Sequence, residues 1–205
     1  CNGVPSPGCG GTAPIINGTL VFGSATATNV MAALQAVYGT ITPAGLPGAT
    51  VLGCGTIGSG GGAGVGVGCA GNFTLPPGVY IAAIASIGVT GDLILDAQGD
   101  PDAVFVFQTN SSTLTTATGS PGAPGSRILL VNGAKASNVF WQVGSSATIG
   151  AYAEFRGNVL ADTSITMDTG ATSCGRLLAG AITTSGAFTF DTNTVSVPGT
   201  VPSCP

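Results

Sequence analysis

The sequence contains no histidine, and only four of its 205 residues are basic: Arg127, Lys135, Arg156 and Arg176. Without imidazole there is no His general base, no Ser-His-Asp triad and no His-ligated metal. Four cations are too few to neutralise a phosphate backbone, so nucleic acid is excluded as a partner. Charge of either sign is scarce, at 6% of residues, against roughly a quarter in an ordinary domain. Long apolar runs are missing as well. Hydrophobic residues make up 44% of the chain, yet Gly and Pro interrupt every stretch well short of the roughly 20 residues of a membrane span. Disorder is excluded because Val, Ile, Leu and Phe recur in strand-like runs. What is abundant is Gly, at 35 residues, together with Thr. The composition predicts one β-rich domain over residues 1–205.

The six cysteines, Cys1, Cys9, Cys54, Cys69, Cys174 and Cys204, form no CxxC pair. With no His beside them they read as disulfides of a secreted, extracellular or cell-surface protein. Cys54 and Cys69 bracket the loop GTIGSGGGAGVGVG and are expected to pair; the partners of the other four stay open. The start at Cys1 reads as a processed chain. A lipid anchor on Cys1 is the less favoured alternative to a disulfide. Sequons stand at Asn17, Asn72 and Asn110, tripeptides that also arise by chance in a Thr-rich chain.

Along the chain, residues 1–25 read as a Cys/Gly/Pro arm with a short strand pair in PIINGTLVFG. A helix is predicted over 26–38, where Val30, Leu34, Val37 and Tyr38 recur at helical spacing. Residues 40–72 read as a Gly-rich loop. It lacks the strand, helix and Lys of a phosphate-binding loop. From 73 to 197 short period-2 runs alternate with turns, and 198–205 form a tail. Val104 and Val106 alternate with Phe105 and Phe107, which implies burial on both faces.

The C-terminal half repeats itself. SSATIGAYAEFRGNVLA (145–161) aligns with TSITMDTGATSCGRLLA (163–179). Thr148 matches Thr166 and Gly157 matches Gly175, each about 18 residues apart, and Thr189 heads a looser third copy. Such a period marks a β-solenoid. Each Thr stands between two apolar residues, so period-2 geometry turns the apolar pair inward and the Thr outward. Thr148, Thr166 and Thr189, with Thr113 or Thr115 extending the series, then form an uncharged rank. Thr is also a common residue of wetted strands. The functional alternatives are a face that orders water or ice, or one that packs against another copy of the chain.

Asp96, Asp100 and Asp102 lie in LDAQGDPDAVF. Their Gly and Pro neighbours make turn chemistry the leading reading and a calcium loop the lesser one. No nucleophile, base and oxyanion donor can be assembled, so no catalytic residue, metal or cofactor is assigned. A carbohydrate-binding module lacks its aromatic platform, because Trp141 sits in the apolar run VFWQV and reads as core.

Six ordered segments resemble the secreted ice-binding-protein-like β-solenoids of bacteria, fungi and algae: LPPGVY (75–80), TGDLILDAQGDPDAVFVFQ (90–108), STLTTATGS (112–120), ILLVNGAKASNVFWQVGSSATIG (128–150), FRGNVLADTSITMDTGAT (155–172) and GRLLAG (175–180). The resemblance implies a right-handed, three-sided β-solenoid with a single helix packed alongside, export, and no enzyme activity. In several members it implies adsorption to ice through a flat face. Members of that family carry strands and a coil before the helix, and here a Cys/Pro/Gly arm stands in that place. An exposed coil end invites strand addition. The leading expectation is therefore a structural subunit that assembles head-to-tail into a filament or surface layer, with intersubunit disulfides. The alternative is a monomeric ice-binding protein.

Overall fold

The alternation around Thr148 is one instance of a pattern that runs through six successive turns of the chain. The computed structural model describes residues 25–62, 66–82, 86–182, 186–199 and Cys204. Cys1, Cys9, Asn17 and the anticipated N-terminal strand pair lie outside the described residues. The chain divides into two units, residues 1–33 and 34–205. In the first, the described residues are the opening turns of helix α1 (Ala25–Thr40), which continues into the second.

The second unit is a three-sided β-solenoid of six coils, each contributing one strand to each of three sheets. The first coil comprises β1 (Thr50–Leu52), β2 (Thr56–Ile57) and β3 (Thr74–Leu75), and the second β4 (Gly78–Ala82), β5 (Ile87–Val89) and β6 (Asp92–Asp96). The third comprises β7 (Phe105–Gln108), β8 (Leu114–Thr116) and β9 (Arg127–Val131), and the fourth β10 (Val139–Val143), β11 (Ala147–Ile149) and β12 (Glu154–Arg156). The fifth comprises β13 (Asn158–Ala161), β14 (Ile165–Met167) and β15 (Thr172–Cys174), and the sixth β16 (Leu177–Ala179), β17 (Phe188–Phe190) and β18 (Thr194–Ser196). Every strand pairs in parallel with the strand three places on. This gives sheet A (β1-β4-β7-β10-β13-β16), sheet B (β2-β5-β8-β11-β14-β17) and sheet C (β3-β6-β9-β12-β15-β18).

The inward positions fill the interior. Leu52, Ile57, Leu75, Leu93, Leu114, Ile149 and Ile165 are fully buried. Burial of each such side chain contributes about 1.5–3 kcal/mol. An aromatic column runs across coils two to four. The ring centroids of Tyr80 and Phe107 are 5.4 Å apart, those of Phe107 and Trp141 4.0 Å, and those of Trp141 and Phe155 5.3 Å. Trp141 is core, and its indole N–H donates to the Arg156 carbonyl at 3.0 Å. The repeated glycines of the sequence have a packing reason. Gly157 has φ 110° and a Cβ there would lie 2.8 Å from Trp141 Nε1, while a Cβ on Gly175 would collide with the Gly157 carbonyl one coil away.

The Gly-rich stretch is not a free loop. It contains β1 and β2, so the solenoid starts at Thr50 instead of 73, and residues 66–68 fold over the end of the first coil. Gly53 N–H donates to Val67 O and Gly58 N–H to Gly68 O. Gly68, at φ +86°, lies so close to Leu52 and Ile57 that a Cβ would come within 2.8 Å of Ile57 Cγ2. A disulfide joins Cys54 to Cys69. The last coil is different. Phe188 and Phe190, which pair with the inward Ile165 and Met167, are 47% and 51% exposed. No further coil follows them among the described residues.

Residues 34–46 lie on the outer side of sheet A. Leu34 and Tyr38 are buried, whereas Val30 and Val37 are half exposed. The buried stripe of the helix is thus the i, i+4 pair and not all four anticipated residues. Tyr38 Oη donates to Val143 O at 3.1 Å and accepts from Gln142 Nε2 at 2.7 Å. Gln108 Nε2 donates to the Ile41 and Leu46 carbonyls. This cover explains why Val106 and Leu160, outward on sheet A, are buried. Val104, just before β7, is exposed.

Candidate functional site: the outward face of sheet B

The register of sheet B places Thr56 opposite Gly88, Gly88 opposite Thr115, Thr115 opposite Thr148, Thr148 opposite Thr166 and Thr166 opposite Thr189. Five of the six coils therefore present a threonine in one outward column, at the strand spacing of about 4.8 Å. The neighbouring residues Ile57, Leu114, Ala147, Ile149, Ile165 and Met167 are buried, which fixes the direction of Thr56, Thr115, Thr148 and Thr166, whereas Phe188 and Phe190 beside Thr189 are exposed. No strand of this sheet carries a charged residue.

Thr113 is not in this column. It precedes the inward Leu114 and belongs to a second hydroxyl file with Ser86, Ser146 and Ser164. Its Oγ1 donates to Ser86 Oγ at 3.2 Å, and Ser86 Oγ lies 2.8 Å from Ser112 Oγ. Ser146 Oγ and Thr163 Oγ1 are 2.6 Å apart. These hydroxyls hold one another and stiffen the margin of the face. Thr56 escaped the sequence reading because it lies inside the Gly-rich stretch. Its only local sign is the Thr-Ile pair that recurs at Thr148-Ile149.

The other two faces differ chemically. Sheet A is covered over its middle coils. Sheet C carries the charges: Arg127 donates to both carboxylate oxygens of Asp92, at 2.7 and 2.6 Å. Those hydrogen bonds, with the Asp92 charge, hold the guanidinium protonated above its ordinary range. The C-terminal region is tied to sheet C by Cys174–Cys204. Asp96 and Asp100 each accept a backbone N–H two residues on, from Gln98 and Asp102, which is turn chemistry. Asn72 Nδ2 donates to Gly66 O within the cap, and Asn110 is exposed.

Three parallel sheets closed by coils, with a helix segment on one side, define a three-sided β-solenoid of the kind seen in solved ice-binding structures. The chain belongs to the ice-binding-like family, whose model matches residues 11–196, and that family is non-catalytic. It is 52% identical over 127 residues to an ice-binding protein of Nostoc sp. (strain HG1), covering 62% of this chain and 42% of that protein. It is 42% identical over 126 residues to ice-binding protein 1 of Shewanella frigidimarina (strain NCIMB 400), covering 62% of this chain and 13% of that protein. The chain thus spans less than half the length of these relatives. A crystal structure of an ice-binding protein from the Antarctic ascomycete Antarctomyces psychrotrophicus superposes with a TM-score of 0.67 at 37% identity, over 84% of this chain and 72% of that one.

These similarities overturn the expectation of a self-assembling filament or layer subunit. The matched proteins are named for ice binding. The physical reason lies in the coil ends. Head-to-tail strand addition needs two open ends, and the 53–72 segment closes the first one, leaving Leu52, Ile57 and Leu75 fully buried. Among the described residues no helix is long and apolar enough to cross a membrane.

Proposed function

We propose that the chain binds ice through the outward face of sheet B, with Thr56, Thr115, Thr148, Thr166 and Thr189 as the contact column. The observation that carries the reading is their shared register across the coils. Threonine presents a methyl group and a hydroxyl at a fixed position. Repeated at a constant spacing on a sheet whose other face is a packed core, these groups order water in place before ice is met. An uncharged face suits this role, because an exposed charge holds its hydration shell against the lattice. The names of the relatives support the same ligand. The paired cysteines support export to an oxidising compartment, where ice would be encountered.

The test is Thr166→Tyr. A bulky ring in the middle of the column abolishes ice-crystal shaping and thermal hysteresis while the melting temperature stays near that of the parent, because Thr166 is partly exposed. Unchanged thermal hysteresis in a folded Thr166→Tyr variant rejects this face as the ice contact.

A further inference from the structure

We infer that the Cys54–Cys69 disulfide positions Thr56 in the contact column, and that its opening by an external dithiol weakens ice binding without unfolding the solenoid. The inference rests on sheet B being the ice face and names a control on that same face.

Thr56 is the least supported member of the column. β2 has two residues, against three in every other strand of sheet B, and as the end strand it pairs only with β5. The Gly88 gap separates Thr56 from Thr115 by two strand spacings, about 9.6 Å. Glycine occupies positions 53, 55 and 58, so the chain on both sides of β2 has little conformational preference of its own. Contact with residues 67–69 restrains it. Gly53 N–H donates to Val67 O at 3.0 Å and Gly58 N–H to Gly68 O at 2.9 Å, one on each side of Thr56. The disulfide joins these two stretches covalently, and its Cys54 end lies two residues before Thr56. A contact group must keep its spacing to match a lattice, so freedom gained at residue 54 is passed on to Thr56.

The bond can be reached from the ice face itself. An open notch of about 500 Å³ lies there, and Cys54, Thr56, Ser86, Gly88 and Thr115 contribute to its lining. Of the four cysteines among the described residues, Cys54 alone is partly exposed, whereas Cys69, Cys174 and Cys204 are buried. A small dithiol in solution therefore attacks at Cys54. Its thiolate bonds to Cys54 Sγ, the Cys54–Cys69 bond breaks, and Cys69 leaves as a thiolate that takes a proton. The second thiol of the reagent then closes on the first sulfur and releases Cys54, which is protonated in turn. The two electrons come from the reagent, which ends as its own cyclic disulfide.

The experiment measures thermal hysteresis of the parent, Thr56→Ala and the double variant Cys54→Ser, Cys69→Ser, each with and without dithiothreitol. Mass spectrometry after alkylation follows the state of Cys54 and Cys69, and circular dichroism follows the fold. The expected result is that dithiothreitol opens the bond in the parent and lowers its hysteresis at least twofold, with the β signal unchanged. Thr56→Ala shows a similar loss without the reagent, and the reagent takes nothing further from it. The cysteine double variant starts at the lowered value and does not respond, which removes the other cysteines as the cause. A bond that only stabilises the fold lowers hysteresis equally with and without Thr56, so the pairing of variants separates positioning from stability. A bond that stays closed, unchanged hysteresis in the opened parent, or an equal further loss in Thr56→Ala overturns the inference. Hysteresis that is abolished by Thr166→Tyr but survives opening of the bond overturns this inference alone, whereas insensitivity to Thr166→Tyr rejects the ice face itself.

Discussion

Gly88 stands opposite Thr115 in the pairing of β5 with β8, and is the one gap in the outward column of sheet B. A Cβ added at Gly88 would meet Thr56 Oγ1 at 3.3 Å, with Gly55 O and Thr56 Cγ2 both at an ordinary contact distance of 3.6 Å. Gly88→Thr therefore completes a six-threonine rank. Greater thermal hysteresis than the parent is expected, with stability changed by less than about 0.5 kcal/mol, as for a surface substitution. Hysteresis and thermal denaturation measured on the same preparation check both halves.

The Tyr38 hydroxyl bridges Gln142 Nε2 and the Val143 carbonyl beneath residues 34–46. Tyr38→Phe leaves the buried Gln142 amide with only a longer contact to Asn110 O at 3.4 Å. The loss of a buried partner costs about 1–3 kcal/mol. Urea unfolding shows it, and ice shaping persists because sheet B is untouched.

Gly175 and Gly99 separate collision from backbone strain. Both have positive φ, but a Cβ at 175 collides with the Gly157 carbonyl and one at 99 meets nothing within 4 Å. Gly99→Ala costs about 1–2 kcal/mol, the left-handed penalty alone. Gly175→Ala costs that and a further 1–3 kcal/mol, approximately, for overpacking. Paired denaturation curves give the difference directly.

The Cys54–Cys69 bond closes a segment with a sequence separation of 15. The double variant Cys54→Ser, Cys69→Ser loses about 3 kcal/mol on the chain-entropy account. Hydrogen exchange is expected to rise first in residues 53–72, where the cap loses its pin, and only later in the aromatic column. A uniform rise across all coils contradicts a local cap.

Burial raises the pKa of Tyr38 and of Tyr80 above the usual tyrosine value of 10.0, with the Gln142 hydrogen bond opposing the shift at Tyr38. The folded state thus favours the neutral phenols. Their contribution is complete below pH about 10, the unfolded value, and is lost as pH rises through the folded values. The melting temperature is expected to fall above pH 10, and by less in Tyr38→Phe than in the parent. With no histidine in the chain, no side chain contributes an ordinary imidazole transition near pH 6.5.

The legible part of the fold was the part with even spacing. Thr148 and Thr166 are joined by a coil without insertions, so their alignment shows in one dimension, and Gly157 with Gly175 shows beside it. Thr56 and Thr115 are separated from their column mates by loops of unequal length, and no fixed period reaches them. The Gly-rich stretch looked flexible because glycine is permissive, yet here glycine is what lets a second layer of backbone approach Leu52 and Ile57.

The sequence by itself determined the solenoid: alternation sends one residue set inward, and repetition stacks the coils. Tertiary structure decided which threonines share a column, that Gly88 interrupts it, and that one end is capped. Registers between parallel strands are set by inward packing and loop lengths together, contacts between residues far apart in the chain, and no local window of sequence contains both.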